Sequence, residues 1–519
     1  MSGSLVTLVR VAPTPHTSYG YATVSYGTGT VSHTRPRQDA PGRTEEEHHV
    51  EPIVIQGGMG VGASSWQLAQ AVANAGQLGV VSGTAVAVTV ARRLSEGDPG
   101  GHLRRALAAF PVREIAQRVQ DRYFREEPRS RGARFPGVAR PVLEPSRKDL
   151  ELLVVANFVE VTLAKQGTDG LVGVNYLEKI QLPTLPSLYG AVLAGTDAVL
   201  MGAGIPAHIP AILDRLARHE DVEMRIDVEG GDKAISRFSP AAFLDGHPAP
   251  PVTRPRFLAI VSSHTLATYL DRNTSGAPDG YVVEMPVAGG HNAPPRGRLN
   301  LDETGQPVYG ARDAVKLEAI AALGKPFWLA GGYGSPDRVQ AALEAGATGV
   351  QVGTAFAFCE ESGLTAELKR SVLDRVVDGS IAVRTDPIAS PTGFPFKLVE
   401  LDGTIAEPAV AEARPRKCDV GYLREAYRKE DGELGYRCSA EPIDDFVRKG
   451  GTEEDAQGRR CLCNGLLTAI DLGQVRREGY AEPPIMTAGD DLVDLKRLLN
   501  GSTSYTARDV VDHLLGVHA

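Results

Sequence analysis

What the sequence lacks narrows the field first. It contains no run of about 18 apolar residues, the length a membrane-crossing helix needs. The best candidate, Leu150 to Leu163, is interrupted by Glu151, Asn157 and Glu160. The opening residues Met1-Ser2-Gly3-Ser4-Leu5-Val6 have neither the basic start nor the apolar core of an export signal. No basic block runs through a motif region and the net charge is −9, so no nucleic acid is expected as a partner. Cysteine is scarce, 5 in 519 residues, and without an export signal structural disulfides are not expected. These absences point to a soluble cytoplasmic protein that handles small molecules, away from any membrane, with a homo-oligomer left open.

What is present is ordinary in bulk and periodic in detail. Apolar residues make up 42% and charged residues 23%, as in other globular chains. The length exceeds one compact core, so a large domain with additions is expected. Residues 1–47 are rich in Thr, Ser, Gly and His without sustained periodicity and read as a flexible extension. From Pro52 short apolar runs alternate with helical patterns, the signature of βαβ units and a parallel sheet.

Eight such runs occur: 53–56, 78–82, 171–175, 198–201, 257–262, 281–285, 327–330 and 349–352. Most are continuous Val/Ile/Leu segments, as strands buried on both faces require. Helices are expected at 65–75, 209–218, 315–323 and 337–345. Eight strands with intervening helices predict an α/β chain whose residues 48–380 form a (β/α)8 TIM barrel. Insertions interrupt it at 92–147 and 220–255, and a separate C-terminal region covers 381–519. An open doubly wound sheet is the rival. It is disfavoured because the glycine-rich loops lie late in the chain rather than after the first strand.

Several strands end in residues suited to chemistry. The first runs into Gln56-Gly57-Gly58-Met59, where glycines let backbone approach a planar ligand. The third ends Gly173-Val174-Asn175, whose amide both donates and accepts. After the sixth comes Ala288-Gly289-Gly290-His291, an imidazole at a barrel mouth behind small residues, placed for proton transfer or substrate orientation. The seventh gives Ala330-Gly331-Gly332 and the eighth Val352-Gly353-Thr354. Exposed N–H groups in loops seven and eight form the usual phosphate site of this fold.

With these motifs in this order, residues 52–380 resemble the nitronate monooxygenase family, formerly called 2-nitropropane dioxygenases. The resemblance implies a TIM barrel and noncovalent FMN. It implies that Gly57, Gly58, Met59, Asn175, Ala288 and Gly289 line the flavin, while Gly331, Gly332, Gly353 and Thr354 hold its phosphate. It also implies that His291 is the catalytic His, acting on an alkyl nitronate or similar small substrate with dioxygen as acceptor. The chain departs from the family pattern in places: Val287 stands where Glu is usual, Gly57-Gly58 stand where Ala-Pro is common, and an Asn292-Ala293-Pro294-Pro295-Arg296-Gly297 loop and a Pro307-Val308-Tyr309-Gly310 segment follow His291. These changes fall on the substrate side. Flavin-dependent enoyl-(acyl-carrier-protein) reductases using NAD(P)H share much of the motif set and are the competing enzyme class. A noncatalytic scaffold within a biosynthetic assembly is the competing reading of another kind.

Beyond the barrel, Cys418, Cys438, Cys461 and Cys463 gather four thiols in one stretch. Thiolates suit a structural zinc or an iron–sulfur cluster, and reduced structural thiols are the alternative. The turn-rich segment from Arg384 to Pro395 is a candidate lid.

Overall fold

The computed structural model describes residues 51–517 apart from position 131. The extension expected over residues 1–47 lies outside the described residues. Eight parallel strands dominate the rest: β1 (Val54–Gln56), β2 (Gly79–Ser82), β3 (Val172–Leu177), β4 (Ala198–Gly202), β5 (Arg256–Val261), β6 (Gly280–Glu284), β7 (Phe327–Ala330) and β8 (Gly349–Val352). They form one sheet in sequence order, with β8 returning to β1 in the register Ile55–Gln351. A parallel bridge between Ile55 and Leu78 joins β1 to β2 and closes the ring. The chain is therefore a TIM barrel and not an open doubly wound sheet, and its strands stand where the apolar runs fall.

Alternation along the strands separates two environments. Ile55, Val80, Leu200, Leu258, Val282 and Trp328 pack together inside the barrel, while Val54, Val81, Val199, Phe257, Tyr281 and Leu329 face outward into the helical layer. The inner residues fill the lower part of the barrel. Trp328 is fully buried, and its indole N–H donates to the Pro52 carbonyl at 2.8 Å. At the C-terminal ends of the strands the same inward positions become polar: Asn175, Glu284 and Gln351. That change of character along each strand marks the functional end of the barrel.

Helices cover the outside. In α1 (Trp66–Asn74) the buried residues Leu68, Ala69, Val72 and Ala73 recur at helical spacing, and the Ser65 hydroxyl accepts the Leu68 N–H as N-cap. The helix sits hard on the sheet, since a Cβ at Gly79 would stand 1.9 Å from the Ala69 carbonyl oxygen. The insertion at 92–147 contains two helices, His102–Ala108 and Arg113–Tyr123, followed by irregular chain. The excursion at 220–255 is mostly an antiparallel pair, Val222–Ile226 with Ala234–Phe238. No helix among the described residues is long and apolar enough to cross a membrane.

Residues after 380 add no strand to the barrel, yet they share its core. Residues from 51 onward form a single compact unit. Met486, Leu492, Leu495, Leu499, Val511 and Leu514 join the same apolar cluster as the outer barrel layer. Two short antiparallel strands, β9 (Val383–Asp386) and β10 (Phe396–Val399), bring the chain back across the mouth.

Candidate functional site

The loop after β6 is built into place from two sides. On one side β10 holds it: the Asn292 N–H donates to the Pro395 carbonyl and the Lys397 N–H to the Gly290 carbonyl, each at 2.9 Å. On the other side residues 487–491 hold it. The Gly290 N–H donates to Thr487 Oγ1 at 2.8 Å, and the Asp490 N–H to the Val287 carbonyl at 3.0 Å. Lys397, itself buried, ties the two clamps together through Thr385 Oγ1 and Asp490 Oδ1, both at 2.7 Å. The turn-rich segment 384–395 thus lies over the mouth, where a lid was expected.

His291 stands between these clamps. Its Nε2 lies 2.7 Å from Ser390 Oγ, which in turn is 2.8 Å from Thr392 Oγ1. The Phe396 ring packs against the imidazole edge-on at 4.9 Å between centroids. Burial lowers the His291 pKa to about 4, so the ring is neutral at physiological pH. A neutral imidazole offers one donor and one acceptor. With so weak a base, holding a substrate oxygen is the easier of the two expected roles.

The positions expected to hold a cofactor converge on the same cavity, of about 430 Å³, and all ten line it: Gly57, Gly58, Met59, Asn175, Ala288, Gly289, Gly331, Gly332, Gly353 and Thr354. Their reasons for being what they are differ. Gly331 and Gly332 have φ of +88° and +77°, a conformation that favours glycine. A Cβ at Gly331 would also stand 3.0 Å from the Ala288 nitrogen. A Cβ at Gly353 would meet nothing closer than the Met59 sulfur at 3.7 Å, so this turn faces open cavity. Gly58 is small for another reason: its Cβ would fall 2.2 Å from that of Asn175. At Gly289 the obstacle is the crossing chain, since a Cβ would stand 2.7 Å from the Ala488 carbonyl carbon.

Polar atoms are arranged around this space. Asn175 Nδ2 donates to the Gly58 carbonyl at 3.0 Å, while its Oδ1 and Gln351 Oε1 are buried without a partner among the described residues. The Met59 N–H and the Gln56 amide both donate to Ser64 Oγ, at 2.8 and 2.7 Å, which fixes the first glycine loop. The Thr354 hydroxyl is already engaged: it accepts the Gly489 N–H at 2.9 Å and bonds the Asp491 carboxyl. What Thr354 offers a phosphate is its backbone N–H. Two positive-φ glycines in loop seven and an open glycine in loop eight make a cradle for a monophosphate, and the unpartnered amide oxygens suit a heteroaromatic ring edge. The residues present fit FMN.

Four contributors were not visible as site residues in the sequence. Glu284 ends β6 facing the cavity, makes no hydrogen bond to a described group, and burial raises its pKa to about 8. A charged residue closing the apolar run Gly280-Tyr281-Val282-Val283 at a barrel strand's C-terminal end was the available signal. Gln351 could have been found in the same way. Ser390 and Asp491 carry no local signal, because only the return of the C-terminal chain brings them to the mouth. Asp491 lines the cavity beside Thr354, and burial raises its pKa, which keeps the carboxyl closer to neutral next to an anion site.

The four cysteines expected to hold a metal lie near enough to influence one another. Among the described residues no three His, Cys, Asp or Glu side chains are grouped to hold a metal ion. Cys438 and Cys461 pack with Ala440, whereas Cys463 joins Val61, Tyr422 and Leu467 and lines the cavity. The helix Leu462–Ala469 begins between the two, so neighbours two residues apart turn to different sides. Burial raises the thiol pKa of Cys438, Cys461 and Cys463, and the neighbouring thiols of the group add to the rise.

Known proteins resemble parts of this chain. The family model described as nitronate monooxygenase matches residues 251–386. A curated relative, (3aS,4S,5R,7aS)-5-hydroxy-7a-methyl-1-oxo-octahydro-1H-indene-4-carboxyl-CoA dehydrogenase of Mycobacterium tuberculosis (strain ATCC 25618 / H37Rv), is 28% identical over 266 residues, 49% of this chain and 66% of the relative. The match therefore spans just under two thirds of that relative's length. Among solved structures, FabK from Thermotoga maritima is similar at 16% identity and a TM-score of 0.44, covering 90% of this chain and 93% of that one. The nitroalkane oxidase from Streptomyces ansochromogenes is similar at 15% identity and a TM-score of 0.44, covering 90% and 96%. The matched stretch 251–386 contains His291 and both glycine turns, so the resemblance to the nitronate monooxygenase family, a family of oxidoreductases, holds where the site is built.

Proposed function

We propose that this chain holds FMN at the barrel mouth and oxidises a small carbon compound of the nitronate type, with dioxygen as the electron acceptor. The observation that carries the reading is one cavity shared by His291 and the glycine turns at Gly331-Gly332 and Gly353. The backbone N–H groups of these turns and of Thr354 would hold the phosphate, with Asn175 and Gln351 at the ring edge. Bound there, FMN would supply the two-electron oxidation chemistry.

The chain's own residues bind, orient and handle protons. Neutral His291, steadied by Ser390 and Phe396, orients the oxygen atoms of the substrate. Glu284, protonated below about pH 8, is the proton reservoir on the cavity wall. The strap formed by β10 and residues 487–491 covers the loop that carries His291 and limits access of water to it. A preformed anion such as a nitronate would need no proton removed, which suits an imidazole of low basicity.

A second reading, an enoyl reductase using NAD(P)H, is favoured by one specific feature: the cavity extends beyond what a nitroalkane fills, along apolar walls described below. Anaerobic stopped-flow mixing of the yellow holoenzyme separates the two readings. Bleaching of the flavin by a nitronate and not by NADPH is expected. Rapid bleaching by NADPH with none by nitronates would replace the first reading by the second.

A further inference from the structure

The cavity does not stop at the cradle. Away from the glycine turns its walls are Ile180 and Leu364 from the barrel loops and Tyr422, Leu462, Leu466 and Ile485 from the C-terminal region. None of these residues belongs to the glycine-bearing motifs. No Lys or Arg lines the cavity among the described residues, and its acidic groups, Glu284 and Asp491, stand with His291 at the barrel end. The part walled by these apolar residues is therefore an uncharged chamber continuous with the reaction site.

Loose packing does not account for it. Gly465, on the helix that supplies Leu462 and Leu466, would place a Cβ 2.9 Å from both Ile405 Cδ1 and Ile485 Cγ2. A Cβ at Gly62 would stand 2.8 Å from Ile470 Cδ1. The chain is tight immediately behind the walls, so the chamber is held open by a close-packed shell. The phenol of Tyr422 makes no hydrogen bond to a described group, which leaves it as a wall and not as part of a polar network. Apolar walls of this kind gain free energy by exchanging water for hydrocarbon. A charged group entering this end would find no counter-ion.

We infer that the chamber between the barrel mouth and the C-terminal region is a substrate subsite for an uncharged, medium-length hydrocarbon chain, with the reacting carbon delivered to His291, whose partner Phe396 packs in the same apolar cluster as Leu462 and Ile485. The inference rests on the cavity being the flavin site of the proposed function, and it names the kind of substrate that site selects. The C-terminal region is then the part of the chain that sets substrate size.

The test uses the full chain as purified and a series of inert probes, the straight primary alcohols from butan-1-ol to decan-1-ol. Binding is followed by calorimetry, with flavin content measured separately. Affinity should rise roughly two- to fourfold for each added methylene until the chamber is full. Leu466→Trp should flatten that dependence without loss of flavin, and Leu466→Ala should move the point of saturation to a longer chain. Equal affinity for butanol and decanol in the parent protein would overturn the subsite, as would an unchanged series in both variants. Because the probes do not react, a protein that fails to oxidise nitronates yet shows the chain-length series would lose the proposed reaction and keep the subsite.

Discussion

His291 is the residue where geometry and electrostatics meet most directly. Its Nε2 contact with Ser390 Oγ at 2.7 Å fixes the ring, and its lowered pKa keeps it neutral. Removing an orienting or proton-handling group typically costs 10²–10⁴-fold in rate. His291→Asn should therefore retain FMN and its melting behaviour while losing turnover on that scale. Ser390→Ala, which removes only the steadying contact, should lose about tenfold, the effect of one hydrogen bond of about 1.4 kcal/mol. Steady-state rates of both variants at matched flavin content check this, and parental rates in His291→Asn would remove it from the chemistry. Glu284 carries a sign that can be worked out. Its folded pKa is raised to about 8, so it is protonated at neutral pH and ionises as pH rises past that value. If it serves as a proton reservoir, turnover falls on the alkaline side near pH 8. Glu284→Gln should be slower throughout and should lack that limb. A limb that persists in the variant would assign it to another group.

The strap at the level of elements explains why the loop after β6 needs two glycines. Gly290, with φ of +81°, lets the chain turn so that its N–H and carbonyl reach Thr487 and Lys397. Gly289 lies flat under residues 488–489, and a Cβ there would overlap main-chain atoms that cannot rotate away. Gly289→Ala should thus cost about 1–3 kcal/mol through overpacking, read as a lower denaturant midpoint at unchanged slope. Turnover should fall further than stability alone explains, because the displaced loop carries His291. An alanine variant with parental midpoint and rate would show that the strap yields freely. The motif Ala288-Gly289-Gly290-His291 was legible as a site from residue types, but half of its reason was not. Flavin clearance accounts for the small residues in the sequence reading. The structure adds the crossing of a segment two hundred positions later, which no local pattern announces.

At the scale of the whole molecule the sequence was informative wherever periodicity is short and poor wherever distant segments meet. The eight strands could be read because each is a buried apolar run bounded by turns, and the ten cavity-lining positions could be picked out because they stand at strand ends, most of them in glycine turns. The thiol cluster was legible only in part: the four cysteines do come near one another, since Cys418 acts on the other three thiols, but Cys461 and Cys463 pack into different apolar clusters on either side of a helix start. The C-terminal region offered no rhythm, and its attachment to the barrel depends on contacts with no sequence signature. Those contacts are extensive. Leu492, Leu495 and Leu499 pack into the outer barrel layer, and in the helix Ala507–Leu514 the residues Val510, Val511 and Leu514 join them. The Tyr505 hydroxyl donates to the Ala355 carbonyl at 2.8 Å, directly behind the loop-eight turn. Each buried aliphatic side chain contributes about 1.5–3 kcal/mol relative to exposure, so losing several together exceeds the 5–15 kcal/mol that ordinarily separates folded from unfolded chains. A chain ended after residue 380 should therefore fail to fold as a flavin-binding barrel, even though all eight strands remain. Expression of that truncation, with far-UV and near-UV circular dichroism and flavin content, is the measurement. Aggregation, or a chain with secondary structure but no cooperative melt, is expected. A truncated protein that melts cooperatively and retains its flavin would show that the barrel stands alone and that the C-terminal region acts only on the substrate side.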